Sequence, residues 1–336
     1  MLKISSFSFG IIAMSSIIIL FSANSPSISS IYAQDTQYSN NNTNENNNSS
    51  LLNELKNIKN ILESKVTNLA TALQIASSLP QILQPPDVNL IDPKFKGIPE
   101  DADLEKRKIG KILLEQFNEF FSVVFLLNNG DVYFDEPFNN QLNRTATNLS
   151  FRDYYQAVEQ TKKTYLSDAI ISTTTGRNLA VIATPVINKE NNMTRILLGT
   201  INFNNYDEFL HSHNLQNNSR LVLIDKNGVK IGDSNENETS ASKESFEKKK
   251  FSNLISVKFA LEGKSGSTIE KFEGKESQIT FLPYDLFQNT RILLLVQICN
   301  SDKEGNESNK CIDNNNNNKE LNLFNEHVLT KLASFF

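Results

Sequence analysis

The chain has 336 residues and carries 33 Lys and Arg against 38 Asp and Glu, a formal net charge of −5. That length can bury the core of one large domain or two small ones, and the acidic balance leaves no basic surface for a phosphate backbone, which argues against nucleic acid as a partner. Trp is absent and Phe occurs 22 times, so aromatic burial falls to Phe.

In chain order, residues 1–33 read as an export signal. Lys3 is the only charge before the apolar run "FGIIAMSSIIILF", Phe9 to Phe21. This run is shorter than the ~20 residues that span a bilayer and suits the apolar core of a signal peptide. "IYAQD" then places a cut after Ala33; the alternative is an uncleaved anchor over Ile4 to Ala23. Both put the remaining chain outside the cytoplasm, at the cell surface or beyond it. Sequons at Asn41, Asn47, Asn48, Asn143, Asn148, Asn192, Asn217, Asn237 and Asn306 agree with export, although an Asn-rich chain produces many by chance.

Residues 34–50 are too polar to bury apolar area and are expected to be a disordered linker. From Leu51 the pattern changes. Leu51, Leu55, Ile58, Leu62, Val66, Leu69, Leu73 and Ala76 step by threes and fours, the stripe of one long amphipathic helix. Ser49 or Ser50 can cap it, and Pro80, Pro85 and Pro86 end it. Such a helix needs a long partner surface.

"DLEKRKIGKILLEQFNEFF" reads as a second helix. The period then switches. "FSVVFLLNNGDVYFDEP" is strand, Asn-Gly turn, strand. Residues 151–162 read as a helix, "DAIISTTTGRNLAVIATPVIN" as strand, Thr-Gly turn, strand, "TRILLGTINF" as a strand and "NNYDEFLHSH" as a short helix. At Arg220 the plan restarts with "RLVLIDKNGVKIGDS". A weakly helical stretch up to Leu261 and the strands in "KSGSTIEKFEGKESQITFLPYD" and "TRILLLVQIC" follow. The order of elements therefore repeats at about 100 residues, giving an α+β fold of two small antiparallel-sheet modules beside one long N-terminal helix. The boundaries expected are 51–210 for the helix and first module and 211–299 for the second. Residues 300–336 are a polar Asn-rich loop and an amphipathic tail.

The residues carry little catalytic or metal chemistry. His211 and His213 lie on different faces of a helix and have no evident third ligand. "GKSGS" at 263–267 echoes a phosphate loop, but Lys258 stands where its first Gly belongs, and the segment reads as a hairpin turn. Asp131 and Asp135 flank a hairpin and are expected to be solvated. No catalytic residue, metal site or cofactor motif is legible. Cys299 and Cys311 enclose a polar loop and, in an oxidising compartment, are expected to form a disulfide.

"LSFRDYYQAVEQTKKTYLSDAIISTTTGRNLAVIATPV", with "NNGDVYFD", "DKNGVKIGDS" and "LLGTINF", resembles the double Cache family of extracytoplasmic sensor domains. The resemblance spans roughly Leu51 to Cys299 and implies two PAS-like modules, of which the membrane-distal one usually holds a small ligand. Within the family, a subset that recognises free amino acids is similar in having an Arg, an aromatic two residues on and then a Tyr, positions filled here by Arg152, Tyr154 and Tyr155. A guanidinium suits a carboxylate, and Tyr rings cover the apolar part of a ligand. The Tyr and Asp with which that subset holds an amine fall near Ile170 and Asn202, neither of which carries charge. The resemblance therefore implies a carboxylate-bearing ligand without a required α-amine. Arg152 could instead cap a helix or pair with Asp153 or Asp168, and Tyr165 reads as a strand-edge residue rather than a contact. Typical members have membrane spans and a cytoplasmic output domain. The present chain is expected to act without an output domain of its own, as a secreted binder or with a separate membrane receptor or transporter. The alternative is a surface structural or adhesion protein that keeps the fold without a working pocket.

Overall fold

The computed structural model describes residues 43–176, 178–187, 194–202, 204–213, 219–235 and 250–299. The described residues from Asn44 onward belong to one compact unit. Helix α1 spans Thr43–Ser77. The face expected to be buried is buried from Leu55 on: Leu55, Ile58, Leu62, Val66, Leu69, Leu73 and Ala76 lie in the core, while Leu51 is half-buried. The linker expected to run to residue 50 is corrected at its C-terminal end, because Thr43 to Ser50 are already helical. Once the apolar stripe holds the turns beyond Leu51, each further residue adds a hydrogen bond for one residue fixed, so the polar lead-in is carried along.

Pro80–Leu83 forms a single turn, α2, and Leu104–Gln116 forms α3. Strands β1 (Phe120–Leu126) and β2 (Val132–Glu136) make the first hairpin. Helices α4 (Phe138–Asn143) and α5 (Asp153–Thr161) follow, then β3 (Tyr165–Leu166), β4 (Ile170–Ile171), β5 (Asn178–Ile187) and β6 (Thr194–Asn202). The first sheet runs β2-β1-β6-β5-β3, with β4 also on β5. Helix α6 (Asn204–Ser212) leads to β7 (Ser219–Asp225), β8 (Lys230–Asp233), α7 (Ile255–Leu261), β9 (Gly266–Phe272), β10 (Lys275–Leu286) and β11 (Asn289–Ile298). The second sheet runs β8-β7-β11-β10-β9, the same order as the first, and every pairing is antiparallel.

The repeat extends to details. In both hairpins a bulge falls at the same place: Leu126↔Val132, Phe125↔Phe134 and Val124↔Asp135 match Ile224↔Lys230, Leu223↔Gly232 and Val222↔Asp233. Both turn glycines have positive φ, +86° at Gly130 and +74° at Gly228, and both press against a serine two residues before a helix N-cap, Ser150 and Ser252. A side chain there would meet backbone at under 3 Å, so glycine is needed for conformation and for space. One sequence expectation is corrected. "GKSGS" is the connection from α7 to β9 rather than a hairpin turn: Gly263 N–H bonds the Ala260 carbonyl and Gly266 opens the strand.

Helix α1 runs past both modules. Lys65 lies 5.7 Å from the centre of the Phe209 ring on α6, and Gln74 Nε2 donates to Thr164 Oγ1 at 2.9 Å. At Gly199 on β6, an added Cβ would sit 2.3 Å from Phe120 Cε1 and 2.9 Å from Leu73 Cδ1. Gly199→Ala is therefore expected to cost about 1–3 kcal/mol through overpacking. Thermal unfolding checks this, and an unchanged midpoint would show that β6 and α1 are not in close contact.

The segment between β3 and β4 joins the modules. Arg291 Nη2 donates to the Ser167 carbonyl at 2.5 Å, and Asn289 Nδ2 donates to the Leu166 carbonyl and to Asp168 Oδ1. Asn227 Nδ2 donates to Asp168 Oδ2, and Ala169 N–H to Asp225 Oδ2. Lys226 Nζ lies 3.3 Å from Asp168 Oδ2.

Candidate functional site

One face of the first sheet carries the candidate site. Direct partners across a sheet share a face, so the pairings place Ser122, Thr200 and Val181 in one row, and Asp135, Val124, Leu198 and Ala183 in the next. Asn202 lies opposite Leu179, which also faces Ile170. Helix α5 lies over this face, and Tyr154, Tyr155 and Val158 join Val124, Leu179, Val181 and Leu198 in a single buried cluster.

Arg152 is the N-cap residue of α5, and its side chain makes no capping bond. Its Nη2 donates to the Ile171 carbonyl at 3.0 Å, and its buried Nε has no partner. Its guanidinium carbon lies 4.9 Å from the centre of the Phe151 ring, which is exposed. Tyr154 is 2% exposed. Burial pushes its phenol up to about 12, against the pull of Arg152 and Arg144, while Asp153 and Asp135 add to the push; all four charges therefore act on this ring. The Tyr155 ring lies in the same cluster, and its hydroxyl donates to the Asn128 carbonyl in the hairpin turn at 2.6 Å. Tyr165 forms the sheet edge as expected, yet it is buried in the same cluster, with its hydroxyl 3.5 Å from Asp153 Oδ2.

Asp135 requires a correction. It is fully buried, not solvated. Simple alternation from Val132 would direct Asp135 to the opposite face. The bulge between Leu126 and Phe125 shifts the phase by one, so Asp135 joins Val124. Its Oδ2 pairs with Arg144 Nη2, and Arg144, 4% exposed, also donates from Nη1 to Thr173 Oγ1 at 3.2 Å. Burial raises the Asp135 carboxyl to about 6; Arg144 and a weaker pull from Ser122 oppose the rise, and Glu136 adds to it. No hydrogen bond of ordinary geometry reaches Oδ1, and the Ser122 hydroxyl is engaged with Thr200 Oγ1 at 2.9 Å. Asp131, the other member of the expected pair, is only partly buried and takes part in the turn through Asn129 and Asn148.

Three buried polar atoms thus lack partners around one ring: Asp135 Oδ1, Arg144 Nε and Arg152 Nε. Each such atom costs about 1–3 kcal/mol, and native proteins keep such atoms for a reason. The second module serves as an internal control. There Asp233 holds the place of Asp135, but its oxygens are taken by Arg220, Lys230 and the Asn235 N–H. Burial pushes Asp233 up, yet these partners outweigh it and its carboxyl is held below the usual range. Leu254 holds the place of Arg152, and the core beneath it, with Phe251, Phe272 and Phe281, is apolar. At one backbone position the second module is satisfied and the first is not.

An open cleft of about 460 Å³ lies elsewhere, lined by Phe95, Pro99, Glu100, Asp101 and Phe138. It offers two carboxylates and no basic lining residue, so it suits a carboxylate ligand less well than the cluster at Arg152. Among the described residues no group of three metal-ligating side chains converges. Cys299 follows β11, and its N–H bonds the Glu276 carbonyl; Cys311 and the signal segment lie outside the described residues.

The sequence profile of the Cache domain, in its double form, matches residues 35–302. No curated protein matches the chain. Among solved structures, an extracellular ligand binding receptor from Desulfohalobium retbaense superposes with a TM-score of 0.55 at 13% identity, covering 73% of this chain and 39% of that one. The ligand-binding domain of the Pseudomonas fluorescens chemoreceptor CtaA, in complex with L-isoleucine, gives 0.52 at 11% identity, covering 76% and 94%. The ligand-binding domain of the Pseudomonas aeruginosa amino acid chemoreceptor PctC, in complex with GABA, gives 0.51 at 14% identity, covering 74% and 98%. With two repeated antiparallel sheets, a long leading helix and a profile match over most of its length, the chain belongs to the double Cache family of sensor domains.

Proposed function

We propose that the protein is an extracytoplasmic small-molecule sensor and that its first module binds a carboxylate-bearing ligand at Arg152. The observation that carries this reading is the set of unpartnered polar atoms around Tyr154, two of them on guanidinium groups. A guanidinium whose Nε is unused can meet a carboxylate through two parallel bonds. Tyr154 walls the site. Asn202 sits at its far edge as a neutral polar group, which fits a ligand without a required α-amine. Tyr155, in the same cluster with its hydroxyl held by the turn, adds its ring to that wall. The solved relatives in complex with L-isoleucine and GABA bind molecules that contain a carboxylate. The link from Tyr165 and Asp153 to Lys226 and Asp168 gives a bound ligand a route to the second module. A membrane receptor or transporter is the partner that fits such a sensor, and a Cys299–Cys311 disulfide would close the chain after β11.

The test is a thermal-shift and calorimetric screen of carboxylates and amino acids on the full chain. A ligand at one hundred times Kd should add ~2.7 kcal/mol of stability. Arg152→Ala should then weaken binding at least thirtyfold, about 2–5 kcal/mol for one lost partner of a buried charge pair, while the ligand-free melting point stays nearly unchanged. Arg152→Lys should restore only part, because an ammonium cannot match the fork. Silence across the screen, with Arg152→Ala unfolding the chain, would favour the structural or adhesion reading.

A further inference from the structure

Asp135 belongs to none of the positions that the resemblance assigns to a ligand, yet it lies on the same face and acts on the same ring as Arg152. We infer that Asp135 sets the charge of the ligand: the site accepts one carboxylate together with a hydrogen-bond donor at the opposite end, and it rejects a second carboxylate. This rests on the carboxylate reading and deepens it.

The charges argue as follows. Arg144 and Arg152 bring two positive charges to Tyr154, and Asp135 removes one by pairing with Arg144. Asp153 sets a second negative charge against Arg152, so no positive charge is in surplus, and the fork of Arg152 answers one carboxylate. A second carboxylate reaching for Arg144 Nε would stand beside the buried Asp135, and like charges placed together in a desolvated site are strongly unfavourable. Asp135 Oδ1 is an acceptor without a donor. A donor on the ligand would satisfy it, since an ionised carboxylate only accepts. Of the groups packed round Asp135, only the Ser122 hydroxyl is a further donor, and a weak one. Gln141 Oε1 accepts from its backbone N–H, Glu136 carries the same sign, the Ser122 hydroxyl is shared with Thr200 and pulls on the carboxyl more weakly than Arg144, and α5 brings Arg152, Tyr154 and the like-charged Asp153. Asp233, at the matching place in the second module, shows what a purely structural aspartate looks like in this fold: both oxygens are taken. Sequence reading passed over Asp135 because its acid stands beside a turn, where solvation is the ordinary outcome.

The experiment compares three matched series on the full chain at pH 7.5 by calorimetry: unsubstituted carboxylates, ω-amino or ω-hydroxy carboxylates, and α,ω-dicarboxylates of three to six carbons. The expected result is that the best donor-bearing acid binds at least about tenfold tighter than the dicarboxylate of equal length, a factor within the cost of a like-charge contact. Asp135→Asn should reverse the order by freeing Arg144, with its fold checked by circular dichroism. If that variant does not fold, the wild-type ratio alone decides. Dicarboxylates binding the wild type as well as or better than their donor-bearing counterparts would overturn the inference while leaving the carboxylate site intact. Failure of all three series to bind would remove the carboxylate reading itself, and the inference with it.

Discussion

Arg144→Met should lower stability by about 3–5 kcal/mol at pH 8, the cost of leaving one buried partner of an ion pair uncompensated, and by much less at pH 5. Arg144 is the cation bonded to Asp135 and opposes the rise that burial imposes on that carboxyl. With Arg144 present the carboxyl already titrates at about 6, against an ordinary value of 3.8; without it the value moves higher. A folded-state pKa above the unfolded one means that the native state holds a proton the unfolded state has lost. The resulting penalty is absent below about pH 4, grows as pH rises, and is complete above the folded pKa. The deficit of Arg144→Met relative to wild type should therefore shrink as pH falls from 8 to 5. Urea unfolding at several pH values measures it. A deficit that does not change with pH would show that Arg144 acts by packing alone.

Arg107→Leu is expected to be as costly, about 3–5 kcal/mol, on the other face of the same sheet. Arg107 is fully buried. It donates from Nη1 to Glu136 Oε1 at 2.7 Å, from Nη2 to the Ile98 carbonyl and Gln141 Oε1, and from Nε to the Pro99 carbonyl. Its guanidinium carbon lies 5.3 Å from the Phe138 ring centre and 5.7 Å from that of Phe134. Leucine matches part of the volume and none of the bonds, and it strands Glu136, whose side chain is 2% exposed. The second variant separates the two faces: Arg107→Leu should leave the Kd of any carboxylate ligand nearly unchanged in the chain that remains folded, whereas a change in Arg152, the arginine of the proposed site, should not. A loss of binding equal to that of Arg152→Ala would mean that the faces are not independent.

The contrast between these arginines explains what was readable. Arg152 could be singled out because it stands among Tyr154 and Tyr155 in a local motif. Arg144 and Arg107 lie in unremarkable polar stretches, and their partners are 9 and 29 residues away. Nothing local distinguishes a buried arginine from an exposed one. The same holds for Asp168, whose docking on Asn227, Lys226 and Asn289 becomes visible only when the two modules meet.

The sequence by itself determined the architecture, because period and turn chemistry are local. The three-and-four stepping from Leu55 to Ala76 gives a one-faced helix, and Asn-Gly between two apolar runs gives each hairpin. The recurrence of that order gives the two sheets. It also determined where to look, through Arg152 and Tyr154. Only the tertiary structure decided which charges are buried and which are left unpaired. A one-residue bulge turned Asp135 inward, the C-terminal end of α4 brought Arg144 back to it, and the equivalent Asp233 was fully satisfied by Arg220 and Lys230. Burial and pairing are properties of what surrounds a residue, and the chain beside it in sequence supplies only part of those surroundings.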